Sequence, residues 1–370
     1  SFQDWLGRAL VILVMACPCA LVISVPLAYF AGMGRISRYG VLIKGAAFVD
    51  VLAGLDTIVF DKTGTLTEGS FEVREVVPIG TTTKEELVKA AASAEGGSAH
   101  PIASSIVEYA NGLGIEKTDV DLAGYSEIPG GGVIASVDGK EVAVGNKGLM
   151  GKVGADYFDP GCSDPICAHT VAGVAVDGNM IGSFHLGDMP KEMAVETVSN
   201  LKELGVRRIA MLSGDKKEAA AAMARIIGVD EVHAGLLPQE KLEELERIMS
   251  GSRKTAFVGD GVNDAPSLAR ADLGIAMGVL GSDAAIETAD MVVMDDNLKK
   301  LPKAIEAARF TRAVAMQNIF GALAVKAVFL TMGGIGRAGM VEAIIADVGL
   351  TLLTVLNSFR LFAGAKDESP

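Results

Sequence analysis

Twenty-six consecutive uncharged residues, 9–34, lie between Arg8 and Arg35. A spanning helix needs about 20 apolar residues, so this stretch predicts a membrane helix near the N-terminus. Two more apolar stretches stand at the other end. One runs from Arg312 to Arg337, broken only by Lys326, and one from Arg337 to Arg360, carrying Glu342 and Asp347. They predict a hairpin, giving spans over 1–35, 313–336 and 338–362 with a tail over 363–370. The first stretch is too long and too irregular inside for a cleaved signal peptide. Arg35, Arg38 and Lys44 follow the first span, and Arg309 and Arg312 precede the second. The positive-inside rule therefore predicts a cytosolic middle region, with the short link 333–339 outside.

That middle region, rich in Gly and Ala, reads as soluble α/β protein. The net charge of −13 argues against nucleic-acid binding, and no basic stripe is present. Four cysteines make no disulfide framework in a chain of 370 residues. Cys17 and Cys19 lie in the first span, while Cys162 and Cys167 fall in the part expected to be cytosolic and reduced. The chain starts at Ser1 and enters a span almost at once, so it is expected to be a portion of something longer.

Residues 57–60 read as a short buried strand ending in Asp61 and a Gly/Thr-rich turn. A carboxylate at the carboxyl end of such a strand sits where parallel α/β sheets bind ligands. A helix-capping Asp is the plainer alternative, and three other segments outweigh it. A second apolar strand ends in Ser213-Gly214-Asp215, offering a hydroxyl and backbone N–H groups to a phosphate. Lys241 offers a point charge for phosphate oxygens. A third strand ends in Asp260, followed by Asn263 and Asp264. Asp61, Asp260 and Asp264 are hard oxygen donors of the kind Mg²⁺ takes alongside substrate phosphate.

Asp61-Lys62-Thr63-Gly64-Thr65, with Gly259-Asp260 and Asn263-Asp264-Ala265-Pro266, resembles the phosphorylation domain of P-type ATPases, within the haloacid dehalogenase superfamily. The resemblance implies a parallel-sheet phosphorylation domain over 36–70 and 186–312, an inserted α+β nucleotide-binding domain over 71–185, and three transmembrane helices. It implies that Asp61 attacks the γ-phosphate of ATP and becomes an aspartyl phosphate, splitting one transfer into two easier steps. Lys62, Thr63, Ser213, Gly214, Asp215, Lys241, Asn263 and Asp264 would assist, and Asp61, Thr63 and Asp260 would hold Mg²⁺. Many phosphatases of the superfamily carry a second Asp two positions after the nucleophile, as general acid/base. Thr63 stands there in this chain, so the phosphoenzyme is expected to hydrolyse slowly unless another group activates water.

The gap from 71 to 185 is too long for a loop. His100-Pro101 opens an amphipathic helix, and a triple glycine precedes two alternating strands around Asp138-Gly139. In this location they resemble the ATP-binding domain of heavy-metal P-type ATPases, which implies Glu95, His100, Gly130, Gly132 and Asn146 as nucleotide contacts. No Walker-type Gly-x4-Gly-Lys-Ser/Thr occurs, which excludes a P-loop ATPase. Cys162, Asp164, Cys167 and His169 have metal-compatible spacing, but a solvated or structural loop is the favoured reading.

On a regular helix Cys17 and Cys19 would face opposite ways. Pro18 removes an N–H and clashes with the preceding turn, so local unwinding brings both sulfurs to one cavity. Thiolates select Zn²⁺, Cu⁺ and similar metals. Lys326 and Asp347 stand mid-span, where each ionised group costs about 2.5–3.5 kcal/mol on insertion scales, so a pair or an ion is expected. Cys-Pro-Cys with this Lys and with Asp347-x-Gly349 resembles the Zn²⁺/Cd²⁺/Pb²⁺-exporting subgroup. The implied transport ligands are Cys17, Cys19 and Asp347, with Lys326 as counter-ion and Glu342 interfacial. The implied location is the cell membrane, with lipid, ATP, Mg²⁺ and the metal as partners. The family's actuator domain and preceding helices are not in this sequence, so this chain is expected to be phosphorylated without completing a transport cycle. A Cu⁺ exporter, a membrane-anchored phosphohydrolase and a non-catalytic metal-binding subunit are the alternatives.

Overall fold

Pro18 has no N–H to continue a helix, and the first apolar stretch divides there. In the computed structural model, which describes residues 2–98, 100–118, 120–159, 161, 170–215, 217–260, 264–278 and 287–362, helix α1 (Phe2–Ala16) stops before Cys17. Helix α2 (Cys19–Arg38) resumes after Pro18. The chain then forms β1 (Val41–Ile43), α3 (Ala46–Ala53), β2 (Thr57–Asp61), β3 (Thr67–Pro78), α4 (Lys84–Ala94), α5 (Pro101–Gly112), β4 (Val120–Ile128), β5 (Gly132–Val137) and β6 (Lys140–Gly145). Next come α6 (Lys147–Lys152), β7 (Thr170–Val176), β8 (Asn179–Pro190), α7 (Glu192–Glu203), β9 (Arg208–Leu212), α8 (Lys217–Ile227), β10 (Glu231–His233) and α9 (Pro238–Ser250). Then follow β11 (Thr255–Gly259), α10 (Ala265–Arg270), β12 (Leu273–Met277), β13 (Met291–Val293), α11 (Lys300–Gly334) and α12 (Met340–Phe359).

Among the described residues three stretches are long and apolar enough to cross a membrane, one of them 5–38, which contains the Pro18 break. Helix α11 starts thirteen residues before the expected span at 313 (300 against 313). No glycine or interior proline separates its buried Leu301–Ala308 part from its membrane part, so the helix simply propagates. Gly32 lets α2 and α11 approach closely, because a Cβ there would fall on the Thr311 side chain.

Seven strands lie in the order β1-β13-β12-β11-β2-β9-β10. The pairs β11–β12, β12–β13 and β9–β10 are parallel, and β1 is antiparallel to β13. Every residue of β2, β11 and β12 is buried, as expected of strands covered on both faces.

Six strands form an antiparallel sheet in the order β3-β8-β7-β6-β5-β4. It spans residues 67–190, wider at both ends than the expected 71–185. Leu87, Val88 and Ala91 of α4 and Ile106 and Ala110 of α5 share a core with this sheet. Leu149 and Met150 of α6 pack with Ala143 and Ala175 in a second core. Strand β5 alternates as expected, but the last four residues of β6 are all buried, because apolar side chains cover both of its faces. Asp138 and Gly139 both take positive φ, 50° and 75°, the backbone of a two-residue hairpin turn.

The chain divides into two compact units. One comprises Ser1–Val59, Ser199–Arg208 and Leu242–Pro370, the other Phe60–Val198 and Ile209–Lys241.

Candidate functional site

Strand β2 ends on Asp61, whose side chain is buried. The chain then turns sharply through Lys62–Leu66, with Gly64 at φ +72°. That left-handed backbone favours glycine. The Lys241 ammonium donates a hydrogen bond to Asp61 Oδ1. It is therefore placed to meet further negative charge brought to Asp61.

Lys62 points elsewhere. Its Nζ lies 2.6 Å from Asp215 Oδ2 and 3.1 Å from Asp188 Oδ2, in a buried setting. Burial opposes the charge, but the hydrogen bond to Asp215 and the charges of Asp188 and Asp215 outweigh it and hold the Lys62 pKa above its ordinary value. Asp188 also accepts from Thr67 Oγ1 at 2.6 Å and from the Gly69 N–H at 3.2 Å. Lys191 Nζ donates to the Gly64 carbonyl at 3.0 Å. Asp188 and Lys191, at the far border of the inserted sheet, thus fasten the nucleophile turn. Sequence reading did not single them out, because their burial and partners appear only in the folded chain.

Ser213 Oγ accepts from the Asp215 N–H at 3.0 Å, which leaves its hydroxyl proton to donate. Asp61, Lys62, Ser213, Gly214, Asp215 and Lys241 all belong to one unit. Thr63 is exposed on the turn, and Thr65 Oγ1 is buried with no hydrogen-bond partner. Asp260 follows β11 and the buried Asp264 precedes α10, both in the other unit. Asn263 lies outside the described residues, as do Cys162, Asp164, Cys167 and His169.

In the antiparallel unit, burial raises the Glu95 carboxyl to about 7, and the Glu127 charge adds to the shift. His100 caps α5, its Nδ1 accepting from the Ile102 N–H at 3.2 Å, and its ring is exposed. The glycines separate into two kinds. A Cβ on Gly130 (φ +67°) would meet open space, whereas one on Gly132 (φ +137°) would strike the Val144 carbonyl and the Gly145 backbone. Gly130 thus suits close approach of a ligand, and Gly132 is required by the sheet. Asn146, expected as a nucleotide contact, is heavily committed to the fold. Its Nδ2 donates to the Gly130 carbonyl at 2.7 Å, and its Oδ1 accepts from the Leu149 N–H at 3.1 Å.

In the membrane helices Lys326 Nζ lies 2.7 Å from Asp347 Oδ1. It also donates to the Met15 carbonyl at 3.3 Å and to the Cys17 carbonyl. The proline break frees those carbonyls, and the ammonium takes them up. Cys17 and Cys19 do converge, with Cα atoms 5.5 Å apart, but they are joined as a disulfide and do not stand as the two expected thiolates. Cα atoms two apart stand about this close on a regular helix too, so it is the changed side-chain direction at the break that lets the sulfurs meet, and metal ligation requires the reduced pair. Among the described residues no group of three or more His, Cys, Asp or Glu side chains is arranged to hold a metal ion. Glu342 is exposed in the first turn of α12, where the helix dipole favours a carboxylate.

A buried carboxylate ending a central strand, a lysine against it and a Ser-Gly-Asp turn nearby are groups suited to a phosphate-handling hydrolase. Residues 55–272 match the haloacid dehalogenase-like hydrolase family, and the chain belongs to it. It is 48% identical over 361 residues to a zinc-transporting ATPase of Synechocystis sp., covering 97% of this chain and 49% of that protein. It is 47% identical over 365 residues to a cadmium, zinc and cobalt-transporting ATPase of Bacillus subtilis, covering 98% of this chain and 51% of that protein. A crystal structure of a zinc-transporting PIB-type ATPase in the E2.Pi state superposes with a TM-score of 0.86 at 35% identity, covering 98% of this chain and 58% of that one. The expected resemblance to heavy-metal P-type ATPases is thereby borne out, and the chain spans about half the length of the curated relatives it matches.

Proposed function

We propose that this chain is the catalytic part, and a portion of the transport part, of an ATP-driven exporter of Zn²⁺, Cd²⁺ or Pb²⁺ that works through an aspartyl phosphate on Asp61. The observation that carries the reading is the coexistence of two sites in one chain. One is Asp61 with Lys241 against it, and the other is the Lys326–Asp347 pair at the Cys17-Pro18-Cys19 break. Asp61 Oδ attacks the γ-phosphorus of ATP, the bond to the bridging oxygen breaks, and ADP leaves. Lys241 and the Ser213 hydroxyl stabilise the charge on the transferring phosphoryl group. Lys62, held by Asp188 and Asp215, fixes the turn that aims Asp61.

Asp61, Thr63 and Asp260 offer the hard oxygens that Mg²⁺ takes, and the buried unpartnered Thr65 hydroxyl, on the same turn as Asp61 and Thr63, fits a site made for a polar ligand. Bound Mg²⁺ would neutralise phosphate charge. Glu95, the exposed His100 ring and the open Gly130 backbone receive the nucleotide. The reduced Cys17 and Cys19 thiolates with Asp347 bind the exported ion, and Lys326 balances Asp347 once it leaves. The catalytic units lie in the cytosol and the helices span the cell membrane.

The test is phosphorylation from γ-labelled ATP with Mg²⁺, comparing Zn²⁺, Cd²⁺, Pb²⁺ and Cu⁺ on the full-length protein. The expected result is an acid-stable phosphoprotein stimulated by the divalent ions and lost in Asp61→Asn. Stimulation by Cu⁺ alone, or label that survives Asp61→Asn, overturns the reading.

A further inference from the structure

A polar layer inside the membrane bundle takes no part in the chemistry above. It is built from Ser24 of α2, Asn318 of α11, and Asn357 and Ser358 of α12. Asn318 Nδ2 donates to Ser358 Oγ at 2.9 Å, and Asn357 Nδ2 donates to Asn318 Oδ1 at 2.9 Å. Ser358 Oγ lies 3.3 Å from the Ser24 carbonyl. Ser24 and Ser358 are 0% exposed and Asn318 is 1% exposed, so these three are buried, while Asn357 is half-buried at the rim.

On each helix the layer lies between the Lys326–Asp347 pair and the end that carries arginine. Arg35 and Arg38 close α2, and Arg360 follows α12. At 1.5 Å rise per residue, Ser24 stands about 7 Å beyond Cys19, Asn318 about 12 Å before Lys326, and Ser358 about 16 Å beyond Asp347. Ala20, Ala322 and Leu350 pack together between the two polar levels.

Cross-helix hydrogen bonds between Asn and Ser hold membrane helices together, and the Asn318–Ser358 and Asn357–Asn318 bonds do that. They do not account for Ser24. Its Oγ is fully buried with no hydrogen-bond partner, and an unsatisfied buried hydroxyl is destabilising. A buried polar group of this kind takes a water, or an ion that carries water. The four side chains have no formal charge, so a cation held by them is held weakly. Passage requires binding strong enough to enter and weak enough to leave.

We propose that Ser24, Asn318 and Ser358 form an oxygen-lined transit subsite. There a divalent metal ion, still partly hydrated, pauses between the arginine-bearing end and the Cys17/Cys19/Asp347 site. The subsite rests on the export reading given above. Ala20 and Ala322 pack with Leu350 between the two levels, so passage requires these small side chains to part.

The test uses the full chain, reduced and in lipid nanodiscs, with Cd²⁺ as probe. Stopped-flow absorbance of the Cd²⁺–thiolate band reports capture at the cysteines, and chelator chase reports release. In Ser24→Ala, capture and release are both expected to slow about tenfold, with equilibrium affinity held within about twofold, because an intermediate stop has been lost and not a final ligand. Ser24→Thr, which keeps the hydroxyl, is expected to restore both rates, and Ala322→Leu to slow both. Wild-type rates in Ser24→Ala overturn the subsite. A drop in affinity that tracks a drop in melting temperature also overturns it, because that is the signature of helix packing alone. Absence of the thiolate band in the wild-type chain overturns the export reading and the subsite together, whereas a normal band with unaltered kinetics in the variants overturns the subsite alone.

Discussion

Glu95 shows what burial does to one carboxyl. Its pKa rises from 4.5 to about 7, first through burial and then through the Glu127 charge. The folded unit therefore keeps the proton longer than the unfolded chain. For an acid raised in this way, stability falls as pH climbs from the unfolded value near 4.5 to the folded value near 7, then levels off. Glu95→Gln is expected to flatten that decline, as read by melting temperature from pH 4.5 to 8. An unchanged slope would show that the charge on Glu95 is relieved by another route. Asp188 gives a second case. Asp188→Ala leaves Lys62 with Asp215 alone and removes the acceptor of Thr67 and Gly69. A loss of about 3–5 kcal/mol is expected, the range for a buried charge pair with one partner removed. Asp188→Asn, which keeps an acceptor, should lose less in the same denaturant titration.

Among the elements, Pro18 has the most localised consequence. With an alanine there, residues 2–38 can run as one helix, and side chains two apart then face nearly opposite sides. Pro18→Ala is expected to weaken Cd²⁺ binding by the reduced cysteines at least about tenfold, in the range seen when a site's supporting geometry is lost. Isothermal titration reads the change, and wild-type affinity would show that the thiols need no break to converge. This break was legible in the sequence, because a proline inside an apolar run allows few outcomes. So were β2, β9 and β11, as short apolar runs ending in polar turns, and the pairing of Lys326 with Asp347, since neither charge is stable alone in lipid. The roles of Asp188 and Asn146 were not legible, because each depends on a partner set by register in a folded sheet. Asp188 meets Thr67 across 121 residues of chain. The start of α11 at Lys300 was missed for a different reason. Hydropathy marks where lipid begins, whereas helix continuity ignores that border.

At the scale of the whole molecule, the export reading asks that two distant sites share one free-energy cycle. If metal at Cys17, Cys19 and Asp347 changes the equilibrium affinity of Asp61 for a bound phosphoryl mimic, then the mimic must change metal affinity by the same factor, whatever metal does to the rate of phosphorylation. That reciprocity is thermodynamic and needs no assumption about the path between the sites. An aluminium fluoride complex of Mg²⁺ mimics the transferring phosphoryl group, with Lys241 against Asp61 placed to receive it. Cd²⁺ titration of the reduced chain with and without that complex is expected to differ by about 5–150-fold, the usual span of coupling energies. The direction follows from export, since the phosphorylated form must let the ion go, so affinity should fall. Asp61→Asn is expected to bind Cd²⁺ as the wild type does and to show no response to the fluoride complex. Equal affinities in the wild-type chain would mean that each site operates alone in this segment. A response that persists in Asp61→Asn would place its origin at another anion site and break the link between the nucleophile and the ion.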